Sequence, residues 1–207
     1  MSNELFQPRS DRDVLRLLRE QPFGWLISGH GETFRATALP FRPKLGAAGT
    51  LAGLWGHMAR SNAQTEALRH DPRAEILILG ANGYISPSWM ADRTQAPTWN
   101  YVSVQFLTNI AFIEDEAGLE WVLRDLIGEV EAGRPNAWSM DDMGARYARL
   151  AQRIVAFEAK IVEMRPKFKL GQDERRDVFA DIMRGLEETG ADELRPWMAD
   201  FAADDAR

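Results

Sequence analysis

Short apolar runs separated by turn residues dominate the first eighty positions. Phe23–Ser28 is rich in strand-forming residues, Gly29–Glu32 predicts a tight turn, and Thr33–Phe41 predicts the returning strand of a hairpin. Thr50–His57 and Glu75–Leu79 predict two further strands. This part of the chain therefore favours an antiparallel sheet.

The remaining sequence mixes two longer strands with helices. Asn100–Ile113 and Ile154–Glu163 predict the strands, and Gly80–Pro97 predicts a long loop because it lacks any sustained period. Helices are predicted after Ser10, over Asn62–Arg69, Glu116–Glu131 and Asp141–Leu150, and near Val178–Leu186 and Asp192–Phe201. No helix of a dozen residues follows each strand, so a parallel sheet is disfavoured and a small antiparallel barrel is predicted.

Length and charge refine this picture. A chain of 207 residues with 45% apolar and 27% charged residues fits one globular domain with an appendage. Residues 173–207 carry 11 acidic and 5 basic side chains, which leaves 20 of each in residues 1–172. We expect a barrel domain over 1–172 and an acidic helical extension over 173–207. Without net positive charge, strong direct DNA binding is not expected.

Other classes of protein are disfavoured by what the sequence lacks. There is no cysteine, so thiolate metal sites and a cysteine nucleophile are excluded. No serine-hydrolase elbow, P-loop or dinucleotide fingerprint is present. The first residues do not form a leader and no run of about 18 apolar residues occurs, so we expect a cytoplasmic protein without a membrane segment.

The polar corner Gly56–Asn62 is the first candidate site. It leads from a strand into a helix, where Arg60, Ser61, Asn62 and backbone N–H groups could converge on a phosphate. The alternative is that Ser61 or Asn62 simply caps the helix. His57 also lies in this corner. The other two histidines, His30 and His70, are interpreted as structural. The acidic segments Glu114–Glu116 and Asp141–Asp142 are interpreted as helix starts.

Aromatic residues form the second candidate site. Tyr84–Trp89 and Pro97–Tyr101 place two Trp and two Tyr beside polar residues on either side of the predicted loop. Such rings can stack on a flat ligand, or they can close one end of a barrel or a dimer seam.

Six segments in order give the chain a family resemblance. They are Pro22–Phe23, Ala36–Pro40, Gly56–Asn62, Tyr84–Trp89, Pro97–Tyr101 and Lys167–Leu170. Together they resemble the PaiB family, which is described as FMN-binding negative transcriptional regulators among the pyridoxamine-phosphate-oxidase-like split barrels. The resemblance implies a mainly β fold, a six-stranded antiparallel split β-barrel with C-terminal helices, and a homodimer that binds FMN.

The same resemblance implies which residues contact FMN. The phosphate would be held near Arg35, Thr37, Arg60, Ser61 and Asn62, with His57 and Met58 beside it. Trp99 and Asn100 would line the ring end, and Lys169 and Gln172 would reach in after the last strand.

Three positions depart from the family pattern. Ala38 and Gln105 stand where family members commonly carry histidine, and Phe168 stands where tryptophan is common. The phosphate and ring contacts lie elsewhere, whereas chemistry that needs either histidine would be lost.

The sequence thus favours a flavin-dependent oxidoreductase or a flavin-sensing regulator. The flavin ring would supply the redox chemistry, which agrees with the small number of acid–base residues. One alternative is a transcriptional repressor without catalytic activity, although no helix-turn-helix with a basic face is evident. The other is a haem-binding barrel with His57 as the axial candidate.

Overall fold

A seven-stranded sheet is the main feature of the computed structural model, which describes residues 3–204. Its strands are β1 (Phe23–Ser28), β2 (Arg35–Pro40), β3 (Arg42–Leu45), β4 (Leu51–Ala59), β5 (Arg73–Ile85), β6 (Thr98–Ile113) and β7 (Ile154–Lys169). They are ordered β2-β1-β5-β6-β7-β4-β3. β1 pairs antiparallel with β2 and β5, and β4 pairs antiparallel with β3 and β7.

Six α-helices accompany the sheet in the described residues. They are α1 (Asp11–Glu20), α2 (Ala63–His70), α3 (Glu116–Glu131), α4 (Arg146–Ala151), α5 (Arg176–Glu188) and α6 (Leu194–Asp204). α3 has the predicted bounds. The helix predicted over Asp141–Leu150 is instead a 3-10 turn, Met140–Met143, followed by α4. Gly144 separates the two with a φ of 52°, which is incompatible with a continuous α-helix.

The predictions of six strands and of a long loop from Gly80 need correction. β3 is a separate seventh strand, and β5 continues to Ile85 before the short 3-10 turn Pro87–Trp89. Gly80 and Ala81 are both buried, which interrupts the alternation that marks a strand in the sequence. A Cβ at Gly80 would lie 2.3 Å from Leu17 Cδ1, so this glycine permits a close approach of α1 and does not end the strand.

The chain divides into two compact units. The first unit consists of the N-terminal segment to Leu17, Leu79–Val104 and the segment from Pro166, and the second unit consists of Leu18–Ile78 and Gln105–Arg165. The predicted boundary between residues 172 and 173 stays a prediction.

Each unit has its own apolar centre. In the first unit, Phe168 contacts Trp197 and Phe201 of α6 with ring centroids 5.6 and 5.7 Å apart. In the second unit, α3 packs on the sheet through a cluster of buried residues: Leu119, Val122, Leu123, Met140 and Ala156. Burial of these apolar surfaces stabilises both units. Within residues 3–204, no helix has both the length and the apolar character required to cross a membrane.

Candidate functional site

The corner between β4 and α2 lies in the second unit. Asn62 caps α2, because its side-chain oxygen accepts a hydrogen bond from the Gln64 backbone N–H at 2.9 Å. Ser61 is exposed immediately before this cap. The structure therefore assigns Asn62 the capping role that was one of the two interpretations of this segment.

A buried amide connects this corner to the first hairpin. The Asn62 side-chain NH₂ donates to Thr37 Oγ1 at 3.0 Å, and that hydroxyl donates to Gln64 Oε1 at 2.6 Å. Gln64 has no exposed surface, and its Nε2 donates to the Leu26 carbonyl and to Ser28 Oγ at 3.1 and 2.9 Å. Thr37 and Asn62 are thus brought together, and their contact with a phosphate stays a prediction. Gln64 holds both residues in place through hydrogen bonds. Its role is not evident from the sequence, because a polar residue in a short helix gives no sign of burial.

Arg60 is paired with a carboxylate. Its Nη1 donates to Glu114 Oε2 at 2.8 Å, and Arg69 Nη2 lies 2.6 Å from the other oxygen of Glu114. Hydrogen bonds from the two guanidinium groups lower the pKa of Glu114, so this carboxyl is ionised at neutral pH. Asp115 is the α3 cap, as the sequence indicated, but Glu114 binds these arginines instead.

Arg35 is the first residue of β2, directly after the turn of the first hairpin. Its Nη1 donates to the backbone carbonyls of Glu32 and Phe34 at 3.2 and 2.8 Å. These contacts hold the exposed side chain against its own turn through Nη1, and phosphate binding by Arg35 stays a prediction.

His57 and Met58 point to opposite faces of β4. Met58 is in the core with 2% of its surface exposed, so its contact with a ligand stays a prediction. His57 is paired across the strands with Ala156, a member of the α3 cluster. Among the described residues, its buried Nδ1 has no hydrogen-bond partner. Burial lowers the pKa of His57, so the imidazole is neutral at pH 7.

The predicted ring-end residues belong to the first unit, where Trp99 is the exposed member. Half of Trp99 is accessible, its Nε1 donates to Asn82 Oδ1 at 3.2 Å, and Tyr84 lies 6.0 Å away between ring centroids. Lys169 Nζ donates to Thr98 Oγ1 and to the Trp99 carbonyl. The structure therefore brings an aromatic surface and a cation together.

Asn100 and Gln172 have structural contacts. Asn100 is buried and its Nδ2 lies 3.6 Å from Met198 Sδ. Gln172 accepts from the Leu170 N–H at 2.7 Å and donates to the Phe168 carbonyl at 2.6 Å, which closes the chain after β7. Their contacts with a ligand stay predictions.

Each unit, taken by itself, carries residues whose chemistry suits one part of a flavin mononucleotide. In the second unit, Arg60, Ser61 and the Ala63 backbone N–H at the start of α2 are donors suited to a phosphate, whereas the Gln64 and Thr65 N–H groups are bonded to Asn62. In the first unit, Tyr84 and Trp99 present exposed ring surface suited to a flat heterocycle. No three His, Asp or Glu side chains converge as metal ligands in the part of the chain that the structure describes.

The second unit also contains a cleft that no sequence pattern indicates. It has a volume of about 530 Å³ and lies where β1, β5, β6 and β7 meet solvent. Asp71 and Arg73 form its charged rim through two side-chain hydrogen bonds of 2.8 and 2.6 Å. These bonds are the main reason why the pKa of Asp71 falls to about 2.

The chain matches a known family over most of its length. The family model described as "Putative FMN-binding domain" matches residues 2–163. The chain belongs to this FMN-binding domain family. The matched range includes Arg35 and Thr37 and the whole Gly56–Asn62 corner, whereas Lys169 and Gln172 lie beyond it.

Individual relatives of this FMN-binding domain protein are distant. The uncharacterized protein AN0679 of Emericella nidulans is 26% identical over 171 residues, which are 67% of this chain and 68% of the relative. The conserved hypothetical protein Rv2991 of Mycobacterium tuberculosis matches with a TM-score of 0.58 and 14% identity, over 82% of this chain and 91% of that one.

A second structural match is the FAD and heme binding protein of Mycobacterium smegmatis, with a TM-score of 0.57 and 17% identity, over 86% of this chain and 79% of that one. The flavocytochrome Anf3 of Azotobacter vinelandii matches with a TM-score of 0.56 and 17% identity, over 86% of this chain and 80% of that one. These matches confirm the predicted fold class, a mainly β split barrel with flanking helices, with seven strands in place of six.

Proposed function

We propose that this chain binds FMN as a PaiB-type homodimer, and that it acts as a flavin-dependent oxidoreductase or a flavin-sensing regulator. The observation that carries the proposal is the family match, which contains the whole strand-to-helix corner of Arg60, Ser61 and Asn62. When bound, the flavin ring supplies the electron or hydride transfer. The protein then needs to bind, orient and shield it.

The proposed phosphate contacts are Arg60, Ser61 and the backbone N–H of Ala63 at the start of α2, because the next two amides of the helix are bonded to Asn62. A guanidinium group can donate two hydrogen bonds to one phosphate, and amides at a helix start add donors that are already oriented. Gln64 and Asn62 support this geometry, because their hydrogen bonds hold Thr37 at the corner. Trp99, Asn100, Lys169 and Gln172 stay candidates for the ring, with His57 and Met58 beside the phosphate.

Replacing Arg60 with alanine tests the phosphate contact. The loss of one charge-assisted hydrogen-bonding group costs about 1.5–3 kcal/mol, so FMN affinity should fall roughly tenfold to a hundredfold. Riboflavin lacks the phosphate and should bind both proteins equally. Flavin fluorescence titrations with both ligands measure the two losses.

Arg149→Ala is the matched control, because Arg149 is also exposed but lies on α4. It should leave both affinities unchanged. Equal losses of FMN and riboflavin in Arg60→Ala would show that Arg60 serves the fold. A wild-type protein that binds neither flavin would contradict the proposal.

Haem is the second candidate ligand, and it is favoured by the neutral His57, whose Nδ1 has no hydrogen-bond partner within residues 3–204. The relatives from Mycobacterium smegmatis and Azotobacter vinelandii are named for haem or cytochrome as well as flavin. The absorption spectrum of the purified protein distinguishes flavin from haem, since haem gives a Soret band that His57→Ala should shift or remove.

A transcriptional repressor is the remaining alternative. Nanomolar, sequence-selective DNA binding by the purified protein in a gel-shift assay would support it.

A further inference from the structure

Two arginines converge on one glutamate at the proposed phosphate corner. Arg60 Nη1 and Arg69 Nη2 lie 2.8 and 2.6 Å from the two oxygens of Glu114. The three side chains come from the residue after β4, from the last turn of α2 and from the residue after β6. All three are partly exposed, so an ion from solution can reach them.

The carboxylate of Glu114 has the same recognition chemistry as a phosphate. Both are anions with oxygens that accept hydrogen bonds from a guanidinium fork. Glu114 therefore occupies a donor that the phosphate of FMN would use. It also leaves one net positive charge on the three side chains, because two cations share one anion.

We propose that Glu114 competes with the phosphate of the ligand for Arg60, and that Arg69 retains Glu114 when Arg60 turns to the phosphate. This inference rests on the proposed FMN function and adds two residues, Glu114 and Arg69, that determine how tightly the phosphate binds.

The balance of charges makes this exchange feasible. An exposed ion pair contributes little to stability because water screens both charges, so Arg60 can leave Glu114 at small cost. A phosphate monoester carries up to two charges and offers more acceptor oxygens than a carboxylate, so it is the better partner. Glu114 still weakens binding, since a pair must be broken and the remaining carboxylate repels the phosphate.

Glu114→Gln tests the inference in the full-length chain. Removing the charge weakens the contact with Arg60 to a neutral hydrogen bond and abolishes the repulsion, so FMN should bind about three- to tenfold more tightly. Riboflavin affinity should not change. Glu116→Gln is the matched control, because Glu116 is an exposed carboxylate two residues away in the first turn of α3. It should leave FMN affinity within about twofold of wild type.

Arg69→Gln is the complementary variant. It removes the partner that retains Glu114, so the carboxylate pairs with Arg60 alone and FMN should bind about three- to tenfold more weakly. Raising the salt concentration should reduce both differences, because exposed charges are screened. Urea unfolding midpoints for each variant establish that the fold is intact.

The outcomes separate this inference from the proposed function. If wild type binds FMN more tightly than riboflavin but Glu114→Gln leaves FMN affinity unchanged or weakens it, the competition is overturned and the flavin function stands. An equal gain for riboflavin also overturns it, because the effect would not act through the phosphate. Failure of wild type and Glu114→Gln to bind either flavin overturns both.

Discussion

Gln64 is fully buried, and its side-chain amide connects two strands to the start of α2. Its Nε2 donates to Leu26 and Ser28 of β1, and its Oε1 accepts from Thr37 of β2. A buried polar group of this kind is stabilising only while its partners are present, because each unpaired donor or acceptor carries a desolvation cost.

Gln64→Leu should therefore destabilise the protein. The substitution leaves the buried Leu26 carbonyl, Ser28 and Thr37 without this partner, and we expect a loss of about 2–4 kcal/mol in the free energy of unfolding. Urea denaturation measures it. Gln152→Leu, at an exposed position before β7, should change stability by less than about 0.5 kcal/mol. Equal effects at the two positions would argue against the amide network.

At the scale of elements, two helical glycines illustrate how packing overrides propensity. Gly185 lies within α5, and a Cβ there would be 2.4 Å from Trp89 Cδ2. Gly128 lies within α3, and a Cβ there would meet no atom within 4 Å. The first glycine permits close packing against an indole, and the second only weakens its helix.

Alanine at these two positions should act with opposite signs. Gly128→Ala should stabilise by about 0.5–1 kcal/mol, because alanine has the higher helix propensity. Gly185→Ala should destabilise by about 1–3 kcal/mol, because the added methyl group must displace Trp89. Thermal and urea unfolding of both variants provide the comparison. Stabilisation by Gly185→Ala would mean that the indole has room to move.

At the scale of the whole molecule, strands β1 and β5 expose apolar side chains that could form a subunit interface. Phe23, Trp25 and Leu77 are 61%, 53% and 37% exposed, and Trp25 is directly opposite Leu77 in the strand pair. Contiguous apolar surface of this kind is typical of interaction sites. We propose that this face contributes to the proposed homodimer, whose existence the following measurement tests.

Light scattering of the wild type should give about twice the chain mass of 23.4 kDa. Trp25→Glu places a charge in the proposed interface and should shift the protein toward 23.4 kDa. Trp138→Glu, at a tryptophan that is 41% exposed outside the sheet, should remain dimeric. A wild type that is monomeric at micromolar concentration would remove the dimer from the proposal.

Several elements could be predicted from the sequence because their signals are local. α3 was predicted with its observed bounds, since Asp115 provides the cap and the following residues form one apolar face. The β1–β2 hairpin and α2 followed from turn glycines and from the Asn62 cap in the same way. The family resemblance likewise depends on short motifs in order, and it correctly indicated the split-barrel fold.

Only the tertiary structure decided what these elements bring together. Gln64 reaches Ser28 across 36 positions, and Arg60 reaches Glu114 across 54. Gly80 likewise is required only because the side chains of Leu17 and Val102 pack where its Cβ would be. Turn chemistry and hydrophobic period act over a few residues and are therefore visible in the sequence. The partners of a buried amide or an arginine depend on strand register and helix position, which exist only after the chain has packed.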